Sequence, residues 1–225
     1  MSKNTMILAA ALAVVSSGAM AQEFTGGELG VEYNTFIDGI DLDGTSYNAA
    51  VEIGIGQQFG FALDANQVDV GDSTSDARFT AHAIYHLGAT SSVGLFYAQS
   101  PSADVDNAGF GLEGGVAFMG GDVGGYIGSQ EVGSEDVFIL GLDSNTPVSE
   151  NFIVFSDFDI VADNDVGAST SELGLIYEID NGPELYAQVG RFTVRADGDS
   201  ASETYIGVGA RITFGAARGT TFEGR

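Results

Sequence analysis

The stretch Phe79-Thr-Ala-His-Ala-Ile-Tyr-His-Leu87 decides the fold, because each alternate residue from Phe79 to Leu87 is apolar. A period of two predicts a β-strand that turns one apolar face to one side. The same alternation recurs in Phe152-Ile-Val-Phe-Ser-Asp-Phe-Asp-Ile160 and in Leu173-Gly-Leu-Ile-Tyr-Glu-Ile179. These stretches predict an all-β chain.

Working outward from these stretches, the pattern predicts twelve strands. The connections between them alternate between tight turns, such as Gly120-Gly121, and longer acidic loops, such as residues 161–169. An even strand number with short turns at one end and longer loops at the other is typical of outer-membrane barrels. We therefore predict a closed antiparallel transmembrane β-barrel with up-and-down topology and twelve strands, with ten as the alternative. The predicted strands are residues 24–36, 46–57, 59–69, 77–87, 91–100, 107–119, 122–131, 136–145, 150–161, 170–180, 183–195 and 202–214.

The N-terminus has the pattern of a cleaved secretory signal peptide. Lys3 supplies the positive charge, residues 6–15 form a short apolar run, and Ala19-Met-Ala21 forms the cleavage site. We expect residues 1–21 to be removed, residues 22–214 to form the barrel and residues 215–225 to form a C-terminal tail. The predicted location is the outer membrane.

The chain is strongly acidic, with 32 acidic and 7 basic residues and a formal net charge of −25. Lys3 is its single lysine, so the exported chain would carry arginine as its basic residue. Such a charge opposes nucleic-acid binding, which depends on basic surfaces. The chain contains no cysteine, so barrel closure rather than disulfide bonding is the expected brace.

The last predicted strand, Tyr205-Ile-Gly-Val-Gly-Ala-Arg-Ile-Thr-Phe214, resembles the C-terminal assembly signal of Gram-negative outer-membrane barrels. Gly209, Ile212 and Phe214 carry the likeness, and the continuation after Phe214 is similar to the ending of small porin-like proteins. The resemblance implies a porin that the barrel assembly machinery inserts into outer-membrane lipid. The chain departs from the family's pattern in two respects, because eleven residues (225 − 214) follow Phe214 and no predicted connection is long enough to form the constriction loop of large porins.

Strand parity predicts which charged side chains face the lumen. With twelve strands the backbone radius is about 12 Å, which leaves a passage of about 10 Å for ions and small solutes. No predicted loop is long enough to fold inside, so we expect any narrowing to come from wall side chains. The acid excess favours cations. The predicted pore-lining residues are Glu28, Glu32, Glu52, Asp64, Arg78, His82, Glu113, Asp157, Asp159, Glu172, Arg191, Arg195 and Arg211.

Two of these expectations depend on local geometry. Barrel closure would bring Glu28 and Glu32 beside Arg211. Arg191 and Arg195 share a face with apolar residues of their strand, so a β-bulge near Gly190 is needed to turn them inward, toward the acids of strands nine and ten. Aromatic residues near strand ends, Tyr205 among them, are expected to form girdles at the membrane interfaces.

The function that these features indicate is passive, mildly cation-preferring diffusion through a narrow porin. One alternative is a closed structural barrel without a channel, and a less favoured one is a soluble periplasmic all-β binding module. We expect no enzymatic activity and no cofactor, and the oligomeric state stays open. We also predict no metal site, because a calcium loop aligned on Asp43 and Gly44 would begin at Gly39 and end at Ala50.

Overall fold

Alternating apolar residues form long strands throughout this chain. A computed structural model describes residues 22–37, 43–71, 76–101, 106–132, 135–163, 166–179, 182–196, 199–215 and 220–222. The predicted signal peptide, Gly39 and tail residues 216–219 and 223–225 lie outside these residues. The strands are β1 (Gln22–Phe36), β2 (Asp43–Ile55), β3 (Phe59–Val70), β4 (Asp76–Gly88), β5 (Ser91–Pro101), β6 (Asp106–Phe118), β7 (Gly121–Val132), β8 (Glu135–Pro147), β9 (Phe152–Ala162), β10 (Val166–Glu178), β11 (Glu184–Ala196) and β12 (Asp199–Phe214).

Each strand pairs antiparallel with its neighbours in sequence, and β1 pairs with β12 to close the barrel. The predicted closed up-and-down barrel of twelve strands is therefore confirmed, and the ten-strand alternative is wrong. Among the described residues, no helix is long and apolar enough to cross a membrane.

The strand register sets the width of the barrel. A row of paired residues that leaves β12 at Phe214 passes once around the ring and returns to β12 at Ser200, 14 residues away (214 − 200). With about 3.3 Å per residue and 4.8 Å between strands, this stagger tilts the strands by about 40°. The resulting backbone radius is about 12 Å, which agrees with the radius expected for twelve strands.

Backbone geometry explains the short turn between β6 and β7 at one end of the barrel. Met119 and Gly120, between β6 and β7, have φ angles of 52° and 86°. Two successive positive φ angles define a type I′ turn, the favoured connection of a two-residue hairpin. The prediction placed this turn one residue later, at Gly120-Gly121. The largest boundary error is at β10, which begins at Val166 rather than at residue 170, because the small side chains there give a weak alternation.

The two faces of the wall differ in character. Large apolar side chains point outward and are exposed, for example Phe61, Leu112 and Val208 at 50%, 58% and 57%. Near the tight turns, aromatic pairs such as Phe59 with Tyr85 lie on this outer face, with ring centroids 5.2 Å apart. The interior carries polar residues and glycines, together with a few buried apolar side chains such as Phe96 and Ile139. This arrangement is the reverse of a soluble globular protein, whose apolar side chains turn inward.

Candidate functional site in the barrel lumen

Eleven of the thirteen predicted lumen residues face inward. Directly paired residues share one face of a sheet, so the ladder assigns each side chain by its partner. Glu52 pairs with Ala62 and Ala62 with the buried His82, for example, which places all three on the inner face. The inward residues are Glu28, Glu32, Glu52, Asp64, Arg78, His82, Glu113, Asp157, Asp159, Glu172 and Arg211.

One side of the lumen is closely packed around a histidine; we term Asp64, His82 and Glu113 the histidine cluster. Both ring nitrogens of His82 contact carboxylates, Nε2 with Oδ2 of Asp64 and Nδ1 with Oε1 of Glu113, each at 2.8 Å. All three side chains are buried. A neutral imidazole has one N–H donor, so the second contact requires another proton within the cluster. Strands β3, β4 and β6 are thereby tied together across β5.

The opposite side carries a row of acids that we term the acid row: Asp143, Asp157 and Glu172. Asp143 of β8 pairs with Asp157 of β9, which pairs with Glu172 of β10. These side chains are half-buried, unlike the histidine cluster. Asp159 lies next to the row and accepts a hydrogen bond from the Tyr126 hydroxyl at 2.6 Å. Three acidic side chains thus lie side by side on one part of the lumen wall.

A third group of polar side chains surrounds the seam where β1 meets β12. Arg211 forms an ion pair with Glu184 of β11 and pairs in register with Gly30, between Glu28 and Glu32. The expected proximity of these two acids to Arg211 is confirmed in register, but Glu184 had not been predicted. Amide side chains also contact these two acids: Asn48 donates a hydrogen bond to Glu28 at 3.1 Å, and Gln188 donates one to Glu32 at 3.2 Å.

The predicted β-bulge near Gly190 is wrong. The ladders of β11 with β10 and β12 run without a register shift from Glu184 to Ala196. Arg191 therefore stays on the outer face, in one row with Ser171 and the exposed Phe158, and Arg195 lies on the same face four residues further on. The physical reason is continuous pairing, which leaves no extra residue to reverse the alternation. The predicted approach of these arginines to the acids of β9 and β10 is absent.

Tyr205 is a second correction, because it faces the lumen rather than an aromatic girdle. Its side chain is buried, and its hydroxyl donates a hydrogen bond to Glu172. The ring lies over Gly190, where an added β-carbon would come within 2.2 Å of the ring. Gly209 similarly makes room for the ring of Tyr186. Glycines in the wall thus provide the space that tyrosine rings occupy beside the acids.

The expected source of narrowing is also wrong. Residues 220–222 of the C-terminal tail, hereafter the tail segment, lie inside the barrel. Phe222 is buried against Ala62 and Ile84, which face inward. The backbone N–H of Thr221 donates to Glu52 Oε2 at 2.6 Å. A chain segment, in addition to wall side chains, therefore fills part of the lumen.

Two cavities follow one another along the lumen. One, of about 570 Å³, extends between the tight-turn end and the tail segment, and includes His86, Thr221 and Phe222 in its lining. The other, of about 390 Å³, is lined by Glu32 and acids of the acid row. Glu28, Asp143 and Arg211 line both cavities, so these three residues mark the junction between them.

Sequence reasoning missed part of the lumen for identifiable reasons. Asp143 and Glu184 face inward and could have been found by strand parity, which places each on the polar face of its strand. Tyr186 and Tyr205 were missed because an aromatic residue in a barrel sequence favours the lipid face. The tail segment follows the last strand, and no periodic signal predicts its position.

The barrel can be compared with known proteins now that its geometry is described. No protein-family model and no curated protein matches the sequence. Solved structures do match. The KdgM porin in complex with disordered oligogalacturonate has a TM-score of 0.60 at 12% identity, over 83% of this chain and 99% of that chain. The NanC porin has a TM-score of 0.64 at 10% identity, over 82% and 98%.

A third structure extends the same likeness. An outer membrane channel from Pseudomonas putida F1 has a TM-score of 0.52 at 13% identity, over 88% of this chain and 98% of that chain. At these identities the likeness concerns the fold alone. The chain has the fold of small outer-membrane porins.

Proposed function

We propose that this protein is an outer-membrane porin for passive diffusion of small neutral and positively charged solutes. The observation that carries the proposal is the charge of the lumen wall. Among the described residues, Arg78 and Arg211 are the inward arginines that the strand ladders identify. They face a larger set of inward acids, namely Glu28, Glu32, Glu52, Asp64, Glu113, Asp143, Asp157, Asp159, Glu172 and Glu184.

The acid excess favours cations for an electrostatic reason. A narrow, low-dielectric passage lined with one sign of charge concentrates counter-ions and repels ions of the same sign. The half-buried acid row lines a cavity, where its carboxylates lie close to passing solutes. The histidine cluster contributes less, since its carboxylates are buried against an imidazole.

The ligand of one structurally similar porin makes the proposal more specific. The KdgM porin was solved with oligogalacturonate, a chain of negatively charged sugar acids. An acidic lumen would repel such a chain. We therefore propose that this protein shares the barrel architecture with that porin and differs from it in the charge of its solutes.

Outer-membrane location is supported by the distribution of polarity. Exposed apolar side chains cover the outer face, and the backbone groups are paired around a closed ring, as a lipid environment requires. Export through the signal peptide and insertion by the barrel assembly machinery through Gly209, Ile212 and Phe214 remain predictions. We propose no catalytic reaction for the lumen.

The two alternative functions, a soluble binding module and a closed structural barrel, do not fit the structure equally well. A soluble binding module would turn its apolar residues inward, which is the opposite of what Phe61 and Leu112 do. A closed structural barrel is favoured by one observation, the tail segment in the lumen. The cavities on both sides of the Glu28–Asp143–Arg211 junction favour the channel instead.

Uptake of three sugars of similar size tests the proposal. Proteoliposomes containing the purified chain are given radiolabelled glucose, glucosamine or glucuronate, which are neutral, positive and negative. We expect glucosamine to enter fastest and glucuronate slowest. Glucuronate entry as fast as glucosamine entry would refute the cation preference. Entry of none of the three sugars above the rate of empty liposomes would favour the closed structural barrel.

A further inference from the structure

We propose that the tail segment is the constriction of the channel, held in place by an aromatic seat and one hydrogen bond on the β2–β6 side of the wall. This inference rests on the proposed porin function and names the residues that limit passage. In this chain residues 220–222, which follow the last strand, would narrow the lumen.

The seat of Phe222 is built from small and apolar wall residues. Phe222 is 3% exposed and packs with Ala62 and Ile84. Its ring lies 6.4 Å from the ring of His82, centroid to centroid. A β-carbon at Gly94 would come within 2.9 Å of the Phe222 ring, so the absence of a side chain there makes space for it. Full burial of a phenylalanine side chain is a strong anchor for so short a segment.

A polar contact fixes the backbone beside this seat. Oε2 of Glu52 accepts the N–H of Thr221 at 2.6 Å, and Oε1 of the same side chain accepts the Thr25 hydroxyl at 3.1 Å. Glu52 is 2% exposed. Both carboxylate oxygens are therefore engaged, and a hydrogen bond to a buried carboxylate is stronger than one between neutral groups.

The tail segment occupies part of the lumen beside the larger cavity. Thr220, Thr221 and Phe222 line the larger cavity together with Asp143 and Arg211 of the opposite side. A single chain segment with its side chains occupies about 5 by 10 Å in cross-section, which is comparable to the passage of about 10 Å expected for this barrel. Solutes must pass between the segment and the β8–β12 side.

Single-channel conductance tests the effect on passage. A chain that stops after Gly215 should conduct more than the full chain, and Phe222→Ala should do so while keeping all charges of the tail. Phe110→Ala is the matched control, because it removes the same side chain from the outer face, where Phe110 is 66% exposed. Conductance equal to that of the full chain in both tail variants would overturn the inference.

Thiol labelling tests the seat of Phe222 and does not depend on channel conductance. The chain has no cysteine, so Gly115→Cys introduces a single thiol beside Phe222, because a β-carbon at position 115 would lie 3.6 Å from the Phe222 ring. A water-soluble methanethiosulfonate reagent should label it about tenfold more slowly in the full chain than in the chain ending at Gly215, as expected from one buried aromatic anchor. Ser46→Cys, which lines the cavity away from the tail segment, is the control and should label at equal rates in both chains.

The two measurements separate the possible failures. Equal labelling of Gly115→Cys in both chains overturns the inference whether or not the protein conducts. Protection of that thiol in a protein that never conducts, with or without its tail, refutes the porin function and leaves the seat established. Circular dichroism in detergent confirms that each variant forms the barrel before it is tested.

Arg191 and Arg195, which were predicted in the lumen, lie on the outer face, and their position supports a separate inference. We infer that Arg191 and Arg195 form a binding site for the phosphate groups of outer-membrane lipid. Both lie on the outer face of β11 near its loop end, and β11 ends one residue after Arg195, at Ala196. Below them on the same face lie exposed apolar residues, Leu185 and Val189. An outward arginine is costly at mid-depth in a bilayer and nearly neutral at the interface.

Hydroxyl side chains surround these arginines on the outer face. Arg191 pairs with Ser171 and Thr204, and Thr193 donates or accepts a hydrogen bond with Ser202 at 2.9 Å. In the same row of paired residues as Arg191, the next two strands carry the exposed apolar residues Phe158 and Leu142 on the outer face. A basic, hydroxyl-rich area on an otherwise acidic protein complements phosphorylated headgroups, for which arginine is a bidentate donor.

Retention of lipid A, a phosphorylated lipid, by the detergent-purified protein tests this site. Native mass spectrometry should show about 25-fold weaker binding to the double variant Arg191→Gln/Arg195→Gln, since each basic residue near an anionic surface contributes about fivefold. Arg78→Gln, on the inner face, should bind as the unmodified protein does. Equal binding by the double variant and the unmodified protein would overturn the inference, and this readout does not depend on conduction.

Discussion

The two sides of the lumen use the same residue types for different purposes. On one side, Asp64 and Glu113 are buried and clamp His82 between them. On the other, Asp143, Asp157 and Glu172 lie side by side, half-buried and facing the cavities. The difference is that the first two carboxylates are buried against an imidazole, whereas the acid row is half-buried and lines a cavity. We infer that the histidine cluster stabilises the barrel and that the acid row selects the solute.

Removing the histidine should have the largest effect. In His82→Leu, two buried carboxylates lose the group between them, and breaking a buried charged network by removing one partner costs about 3–5 kcal/mol. Urea unfolding in lipid vesicles measures the loss. The matched control is His86→Leu on the same face of β4, where the ring contacts the Ser92 hydroxyl at 2.8 Å, and about 1 kcal/mol is expected. Equal losses in the two variants would contradict the stabilising role of the histidine cluster.

The ion pair at the seam should have the next largest effect. Arg211→Gln leaves the carboxylate of Glu184, which is 7% exposed, without its charged partner. We expect a loss of about 1–3 kcal/mol in the free energy of unfolding, together with a stronger cation preference because the lumen becomes more negative. A weaker cation preference, measured by reversal potential, would be the opposite of what the wall charges predict.

Neutralising the acid row should change selectivity more than stability. In the triple variant Asp143→Asn/Asp157→Asn/Glu172→Gln, the ratio of cation to anion permeability should fall about fivefold, which corresponds to about 1 kcal/mol of electrostatic interaction. Reversal potentials in a salt gradient provide the ratio.

Glu131→Gln/Asp136→Asn is the control for the loss of negative charge. These two acids pair with each other on the outer face of β7 and β8, so their removal should leave selectivity unchanged. A permeability ratio that falls equally in the triple variant and in this control would mean that net charge, rather than the acid row, sets the preference.

The smallest effect is expected at an exposed hydrogen bond. Asn145 donates to Asp122 at 3.1 Å on the exposed rim of the lumen near the tight turns. Because water can replace this contact, Asn145→Ala should change the free energy of unfolding by no more than about 0.5 kcal/mol. A loss of more than about 1 kcal/mol in the same urea titration would show that the rim is more rigid than its exposure indicates.

The fold was predictable from sequence because a barrel wall has a strict period of two. Phe79, Ala81, Ala83 and Tyr85 alternate outward in the structure as they do in the sequence, and each strand repeats that rule. Errors occur where the alternation is weak. At the start of β10, Gly167 and Ala168 are small on both faces, so the strand begins earlier than the prediction placed it.

Strand parity predicted which residues of the candidate site face the lumen, but it could not predict which of them make contact. Glu52, Asp64 and His82 follow from parity, but their contacts depend on the register between strands. Arg191 was misplaced because an outward arginine is costly at mid-depth, whereas its position toward the loop end of β11 makes it tolerable. Phe222 could not be foreseen, because its place depends on a seat formed by residues from several strands.

The reversal potential of the full-length protein in a planar bilayer with a salt gradient tests the central claim most directly. An acid-lined lumen predicts stable conductance steps and a reversal potential of the sign that favours cations. Stable steps with an anion-favouring reversal potential would contradict the proposed role of the acid row. Insertion without any conductance, from both the full chain and the chain ending at Gly215, would contradict the porin function itself.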